Sequence, residues 1–168
     1  MTFRIRPVGL LLAGLMSSLL LGPAKAQENG LVTERNISLN MARAIADAAL
    51  DTCRKMGYQI SVTVVDRAGL VRISLRDDGA GLHTLENAQR KAYTARTFRV
   101  STAEFRRLIS ENPERSAQVN LSGVIAIPGG LPIKVGNDIV GAVGVSGTPG
   151  KDDVCSQAGI DRVADQLK

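Results

Sequence analysis

The only histidine of the sequence precedes an acidic residue at helical spacing. His83 lies three residues before Glu86. Gln89 and Arg90 follow one turn later, so these side chains would share one face of a helix. Imidazole and carboxylate groups are ligands of transition metals, and imidazole is an axial ligand of haem iron. The pattern therefore indicates His83 and Glu86 as candidate ligands of a metal ion or of haem. The open alternative is a solvated helix start on which Glu86 and Arg90 form an ordinary ion pair.

Three basic side chains continue the same helical stretch. Lys91, Arg96 and Arg99 follow His83 closely in the sequence. Basic groups form charge-assisted hydrogen bonds with carboxylates, which include the propionates of haem. If haem is the ligand, we expect these three residues to pair with its propionates.

Patterns typical of catalysis are incomplete. Ser146 lies in Gly-Val-Ser-Gly, which is not the nucleophile elbow, and any Ser-His-Asp triad would have to use His83. Gly150 and Lys151 resemble the end of a phosphate-binding loop, but Asp152 replaces its Ser or Thr. Because no nucleophile–base pair is evident, the residues favour a binding protein over an enzyme. An enzyme acting on haem or on a small organic acid, or an accessory protein whose oligomeric surface binds a partner, stays open.

Residues 1–26 have the pattern of a cleavable secretory signal. Arg4 and Arg6 precede an apolar run at 8–22, and the Ala-Lys-Ala that ends at Ala26 fits a signal peptidase site. The run is shorter than the roughly 20 residues that span a bilayer, so a retained anchor is the weaker alternative. We expect a periplasmic or secreted protein, cleaved after Ala26 and free of the membrane afterwards.

Most of the net charge lies in that segment. Three of the 21 basic residues and none of the 16 acidic residues belong to it, so its removal reduces the net charge from +5 to +2. The remaining charges are interleaved, without the basic stripe that nucleic acids require, which excludes nucleic acid as the main partner. Segment 27–36 is polar and expected to be flexible. Segment 37–168 has no repeat or linker and is expected to form one domain.

Cys53 and Cys155 are the only cysteines. In an oxidising compartment they could form a disulfide that closes a loop of about 100 residues. The alternative is two separately buried thiols. Neither cysteine belongs to a Cys-x-x-Cys pair, which disfavours zinc binding and redox catalysis.

Hydrophobic periodicity and turn residues predict four helices and five strands. The predicted helices are 38–56, 84–98, 101–110 and 151–167, and the predicted strands are 60–65, 70–75, 123–127, 131–135 and 139–146. Tight turns make neighbouring strands antiparallel. The fold class is therefore α+β, a single domain with an antiparallel sheet of about five strands covered by helices. This order lets the first and last helices share a face, where Cys53 and Cys155 could meet. In the second helix, Leu85, Ala88, Ala92, Ala95 and Phe98 are predicted to face inward.

Several segments in combination resemble one known family. They are Val62–Gly69 (VTVVDRAG), Arg76–Ala80 (RDDGA), Arg90–Ala95 (RKAYTA), Ile127–Ile133 (IPGGLPI), Gly141–Gly147 (GAVGVSG) and Asp152–Asp153. The chain is similar in these segments to the GlcG/HbpS family of haem-binding or haem-degrading-type domains, over roughly residues 37–167. The resemblance implies a profilin-like α/β sandwich that assembles into homo-oligomers. It also implies an exported protein that binds haem, or iron, for scavenging, storage or sensing.

The resemblance also suggests site residues. Lys91 and Thr94 match the family pattern, and Gly129 and Gly130 belong to the IPGG motif, so these four join His83 and Glu86 as candidate haem-binding residues. Two positions depart from the pattern. Val124 occupies the place of a threonine that is a haem ligand in some members. Gln89 replaces the second carboxylate of an iron-binding Glu-x-x-Glu pair, of which Glu86 is the first.

Overall fold

The computed structural model describes residues 30–168, so the predicted signal at 1–26 lies outside the described residues. Residues 34–168 form one unit, and residues 30–33 contain no helix or strand. The helices are α1 (Leu39–Lys55), α2 (Thr84–Phe98), α3 (Thr102–Glu111) and α4 (Asp152–Asp161), and the strands are β1 (Ser61–Asp66), β2 (Val71–Arg76), β3 (Gly130–Val135) and β4 (Asp138–Ser146). Two 3₁₀ helices, Pro113–Asn120 and Ala164–Gln166, complete the described elements. No helix between residues 30 and 168 is long and apolar enough to cross a bilayer.

The strands form one antiparallel sheet in the order β2-β1-β4-β3. All six residues of β1 are buried, because helices cover both faces of the sheet. On one face Val62 and Val64 pack with α1 and α4, and on the other Val65 packs with Ala92 and Ala95 of α2. The predicted α+β class is therefore confirmed.

The structure corrects the predicted strand at 123–127, so the sheet has four strands and not five. The segment Gly-Val-Ile-Ala-Ile is apolar, as buried strands are, but among its residues only Val124 is buried. The backbone of this segment bonds to side chains of α2 instead of to a strand. Thr94 Oγ1 accepts from the Ile125 amide at 2.9 Å, and Arg90 donates to the Val124 carbonyl at 2.7 Å.

Two further predictions for the helices were wrong. Leu85, predicted to face inward, is 38% exposed because the neighbouring Thr84 faces the sheet instead: Thr84 is 2% exposed, and its hydroxyl bonds to that of Ser61 in β1 at 2.8 Å. The last helix, predicted to reach residue 167, ends at Asp161. There the chain turns and buries Val163 in the core, with 1% of its surface exposed.

A disulfide joins Cys53 of α1 to Cys155 of α4, with 5.7 Å between the two Cα atoms. Both cysteines are fully buried, and the helices that carry them pack against each other. The approach is close because α4 has Gly159 at the contact, where an added Cβ would lie 2.7 Å from the carbonyl oxygen of Ile45. The predicted disulfide is confirmed, and the alternative of two separate thiols was wrong.

Candidate functional site

Helix α2 lies directly on the sheet because two glycines face it. Gly130 of β3 and Gly144 of β4 are register partners. A Cβ on Gly144 would overlap the carbonyl oxygen of Ala88, and a Cβ on Gly130 would overlap that of Lys91. The absence of both side chains lets the helix backbone touch the strands, which places the Lys91 side chain beneath the start of α4.

Lys91 is a buried cation with a specific partner. Its side chain is 1% exposed, and Nζ donates to Asp152 Oδ2 at 2.7 Å and to the Val145 carbonyl at 2.9 Å. The other oxygen of Asp152 accepts from the Thr148 amide at 2.9 Å. A buried charge without a partner is strongly destabilising, so this ion pair fixes α2 against the first turn of α4.

Gly129 and Gly130 are buried and hold the backbone beside this pair. The Gly129 amide donates to Asp153 Oδ1 at 2.8 Å, and its carbonyl accepts from Ser156 Oγ at 2.7 Å. Gly129 has φ +122°, which favours glycine, and the Gly130 amide donates to Thr102 Oγ1 at 2.8 Å. Burial raises the pKa of Asp153, while the Gly129 amide opposes the shift. Both amides and the Gly129 carbonyl are therefore already bonded within the protein, and the two glycines position the backbone beside the ion pair.

A groove of about 490 Å³ lies above the Lys91–Asp152 pair. Three segments form its walls: residues 81–87 at the start of α2, Ile127, and residues 146–149 between β4 and α4. We call it the His83 groove. His83 is exposed at its rim, where the ring packs over Gly81 so closely that a Cβ there would be 3.1 Å from His83 Cε1. Within residues 30–168 no hydrogen bond to the imidazole is found.

The structure brings some of the predicted site residues together and separates others. His83 and Lys91 line one groove, and Gly129 lies directly behind Lys91. Glu86 lies outside the groove with its side chain 75% exposed, and pairs with Arg90 at 3.6 Å, which is the alternative left open by the sequence. Thr94 is buried, and its hydroxyl is bonded to the Ile125 amide. Among residues 30–168 no group of three or more His, Cys, Asp or Glu side chains is placed to hold a metal ion.

Arg96 and Arg99 lie at the opposite end of α2 from His83. Arg96 lies thirteen positions after His83, which corresponds to about 20 Å along the helix axis. Both arginines border a different cavity. The prediction that they pair with the propionates of a haem bound at His83 is therefore not supported by this geometry.

Asp152 belongs to the site but was not predicted from the spacing of the candidate ligands. One signal was present, because Ala88, Lys91, Ala92 and Ala95 recur at helical spacing and so place a lysine on a buried face. A lysine in that position requires a partner. The spacing alone could not identify Asp152, which is 61 residues away in the sequence.

Comparison with known proteins gives one consistent result. The family model described as haem degrading protein HbpS-like matches residues 37–161. Protein GlcG of Escherichia coli K12 is 35% identical over 111 residues, which cover 66% of this chain and 81% of GlcG. A double mutant of Streptomyces reticuli HbpS superposes with a TM-score of 0.75 at 31% identity, covering 83% of this chain and 95% of that one. The PduOC:heme complex has the same fold, with a TM-score of 0.68 at 22% identity over 76% of this chain and 94% of its own.

Proposed function

This chain belongs to the HbpS-like family of haem degrading proteins, and from that premise we propose that it is an exported haem-binding protein. The His83 groove is the proposed site, and the imidazole of His83 is the proposed ligand of the haem iron. Scavenging, storage or sensing of haem outside the cytoplasm is the proposed role.

The proposal rests on the position and the unbonded ring of His83. Its imidazole is exposed at the rim of the groove and makes no hydrogen bond within residues 30–168, so it can coordinate without breaking an existing interaction. Imidazole is the proximal ligand in many haem proteins. A volume of about 490 Å³ lies within the range of small-molecule and cofactor sites. Support also comes from a protein of the same fold that was solved in complex with heme.

The donor groups around the groove fit a haem held by one protein ligand. Ile127, which is 45% exposed, and Pro149 offer apolar contact to a porphyrin face. Lys91 supplies no free charge for a propionate, because its ammonium group already bonds to Asp152 and Val145. Val124 is 1% exposed and carries no donor atom, so the ligand set would differ from the threonine of other members. When bound, haem would supply the iron for the imidazole nitrogen.

Export and assembly belong to the same proposal. The predicted signal at 1–26 supports export, as does the Cys53–Cys155 disulfide, since disulfides persist mainly in oxidising compartments. Homo-oligomerisation is supported by exposed apolar side chains such as Leu70, which is 67% exposed, and Leu121, which is 55% exposed.

Haemin titration tests the site. The purified protein should give a shifted Soret band at micromolar haemin, and His83→Ala should weaken binding by at least tenfold. The matched control is Leu82→Ala, which changes the neighbouring side chain, 85% exposed, and should bind as the wild type does. Glu86→Gln should also bind normally, because Glu86 lies outside the groove. Absence of a Soret shift in the wild type would overturn haem binding, and an unchanged spectrum of His83→Ala would overturn the assignment of His83.

A further inference from the structure

Three arginines surround a small cavity at the carboxyl end of α2. Arg96 and Arg99 come from the end of the helix, and Arg67 comes from the turn between β1 and β2. Asn137 in the turn between β3 and β4, and Asp138 and Ile139 at the start of β4, complete a cavity of about 120 Å³. We call it the arginine cavity. It shares no lining residue with the His83 groove.

The acidic groups near the arginine cavity are already paired. Asp138 Oδ1 accepts from Arg67 at 2.7 Å, and Asp138 Oδ2 lies 3.8 Å from an Arg35 nitrogen. Arg67 also lies 3.3 Å from Glu34. By contrast, neither Arg96 nor Arg99 forms an ion pair within residues 34–168. The cavity therefore carries an excess of positive charge.

Arg96 is also short of hydrogen bonds. Its Nε is buried and is the one buried side-chain nitrogen or oxygen in the described part of the chain without a hydrogen-bond partner. Burial lowers the pKa of Arg96, and the charges of Arg99 and Arg67 lower it further, against the opposing effect of Asp138. Buried donors in folded proteins are normally satisfied, so an orphaned one needs an explanation. The negative end of the α2 dipole offsets part of the charge repulsion but provides no acceptor for Nε–H.

Arg99 adds a conformational observation. It ends α2 with φ +61°, in the left-handed region, where helices usually have Gly or Asn. Arg99 is the only residue other than glycine with positive φ among residues 30–168. An arginine here keeps a third guanidinium at the cavity despite an unfavourable backbone conformation.

We propose that the arginine cavity binds a small oxyanion, that is, a phosphate or carboxylate group. Guanidinium groups bind both kinds of oxyanion through paired N–H donors, and such a ligand would accept from the guanidinium groups that line the cavity and balance the excess charge. The volume of about 120 Å³ corresponds to roughly four water molecules in the liquid, which suits one phosphate or a short carboxylic acid. This site does not depend on the proposed haem function.

Isothermal titration calorimetry with inorganic phosphate and with oxalate tests the proposal. Each titration is matched by potassium chloride at the same ionic strength, so that a general salt effect is subtracted. We expect saturable binding of at least one of the two anions, weakened at least tenfold in Arg96→Gln and in Arg99→Gln. Arg43→Gln is the control, because Arg43 is an exposed arginine on α1, away from the cavity. The anion that binds more tightly identifies the ligand group as phosphate or carboxylate.

Thermal unfolding separates a binding role from a structural one. If Arg96 serves to bind an anion, Arg96→Gln should melt in chloride at the wild-type temperature or above it, and should lose the upward shift that the bound anion gives the wild type. If it serves only the fold, the variant should melt lower in chloride and keep any shift. The proposal is overturned by the second pattern, by equal binding to Arg96→Gln and Arg43→Gln, or by absence of binding to both anions.

Discussion

Breaking the Lys91–Asp152 ion pair should destabilise the protein far more than the removal of an exposed charge would. Lys91→Met leaves the carboxylate of Asp152, whose side chain is 10% exposed, without its cation. Asp152→Asn leaves an ammonium group that is 1% exposed with neutral acceptors only. Removing one partner of a buried pair costs about 3–5 kcal/mol, because the other charge stays desolvated. We therefore expect each single variant to lose about this much of the free energy of unfolding.

The double variant tests whether the two residues contribute to stability through their interaction with each other. Lys91→Met combined with Asp152→Asn leaves no unpaired charge, so it should cost much less than the two single changes added together. The expected interaction energy is about 2 kcal/mol or more, near the upper end of the range for contacting residues. Urea unfolding followed by far-UV circular dichroism measures all three free energies, with Lys55→Met as the control for an exposed lysine on α1. Single variants within about 1 kcal/mol of Lys55→Met, or strictly additive costs, would refute the reasoning.

Two further predictions concern the first helix. Replacing Cys53 and Cys155 by alanine should lower the free energy of unfolding by about 2–5 kcal/mol, because the disulfide closes a loop with a sequence separation of 102; a loss below about 1 kcal/mol in urea unfolding would contradict this. Arg54 donates twice to Asp77 and so lowers the pKa of that carboxyl below its ordinary value of 3.8. A lowered pKa stabilises the folded state above pH 3.8, and this effect is lost as the pH falls further. Arg54→Gln should therefore be less stable than the wild type in urea unfolding at pH 7, and the difference should shrink below pH 4; a difference that widens there would contradict the prediction.

The elements with local signals were predictable from the sequence. Ser38 caps α1, where its hydroxyl accepts from the Met41 amide at 3.1 Å, and Gly57 follows the helix with φ +81°. The predicted bounds of α2 agree with the structure at both ends. Caps, turn glycines and helical periodicity act between residues a few positions apart, so they can be identified without the tertiary structure.

The missed features depend on contacts between distant parts of the chain. The segment at 123–127 is apolar like a buried strand, yet its backbone bonds to Arg90 and Thr94 of α2, and nothing in its own sequence indicates this. The arginine cavity likewise depends on contacts between distant parts of the chain. Arg67 and Arg96 are far apart in the sequence and meet only because β1 and β4 pair and α2 crosses them.

Helix α2 connects the two proposed sites, since His83 precedes its first residue and Arg96 lies in its last turn. Its position depends on the Lys91–Asp152 pair and on the glycines beneath it, which act on the middle of the helix. Variants at Lys91 would therefore disturb both ends together. Variants of His83 or Arg96 change one end only, about 20 Å from the other. Loss of haem binding in His83→Ala with intact phosphate or oxalate binding would hence report on the groove itself, and the reverse pattern in Arg96→Gln would report on the arginine cavity.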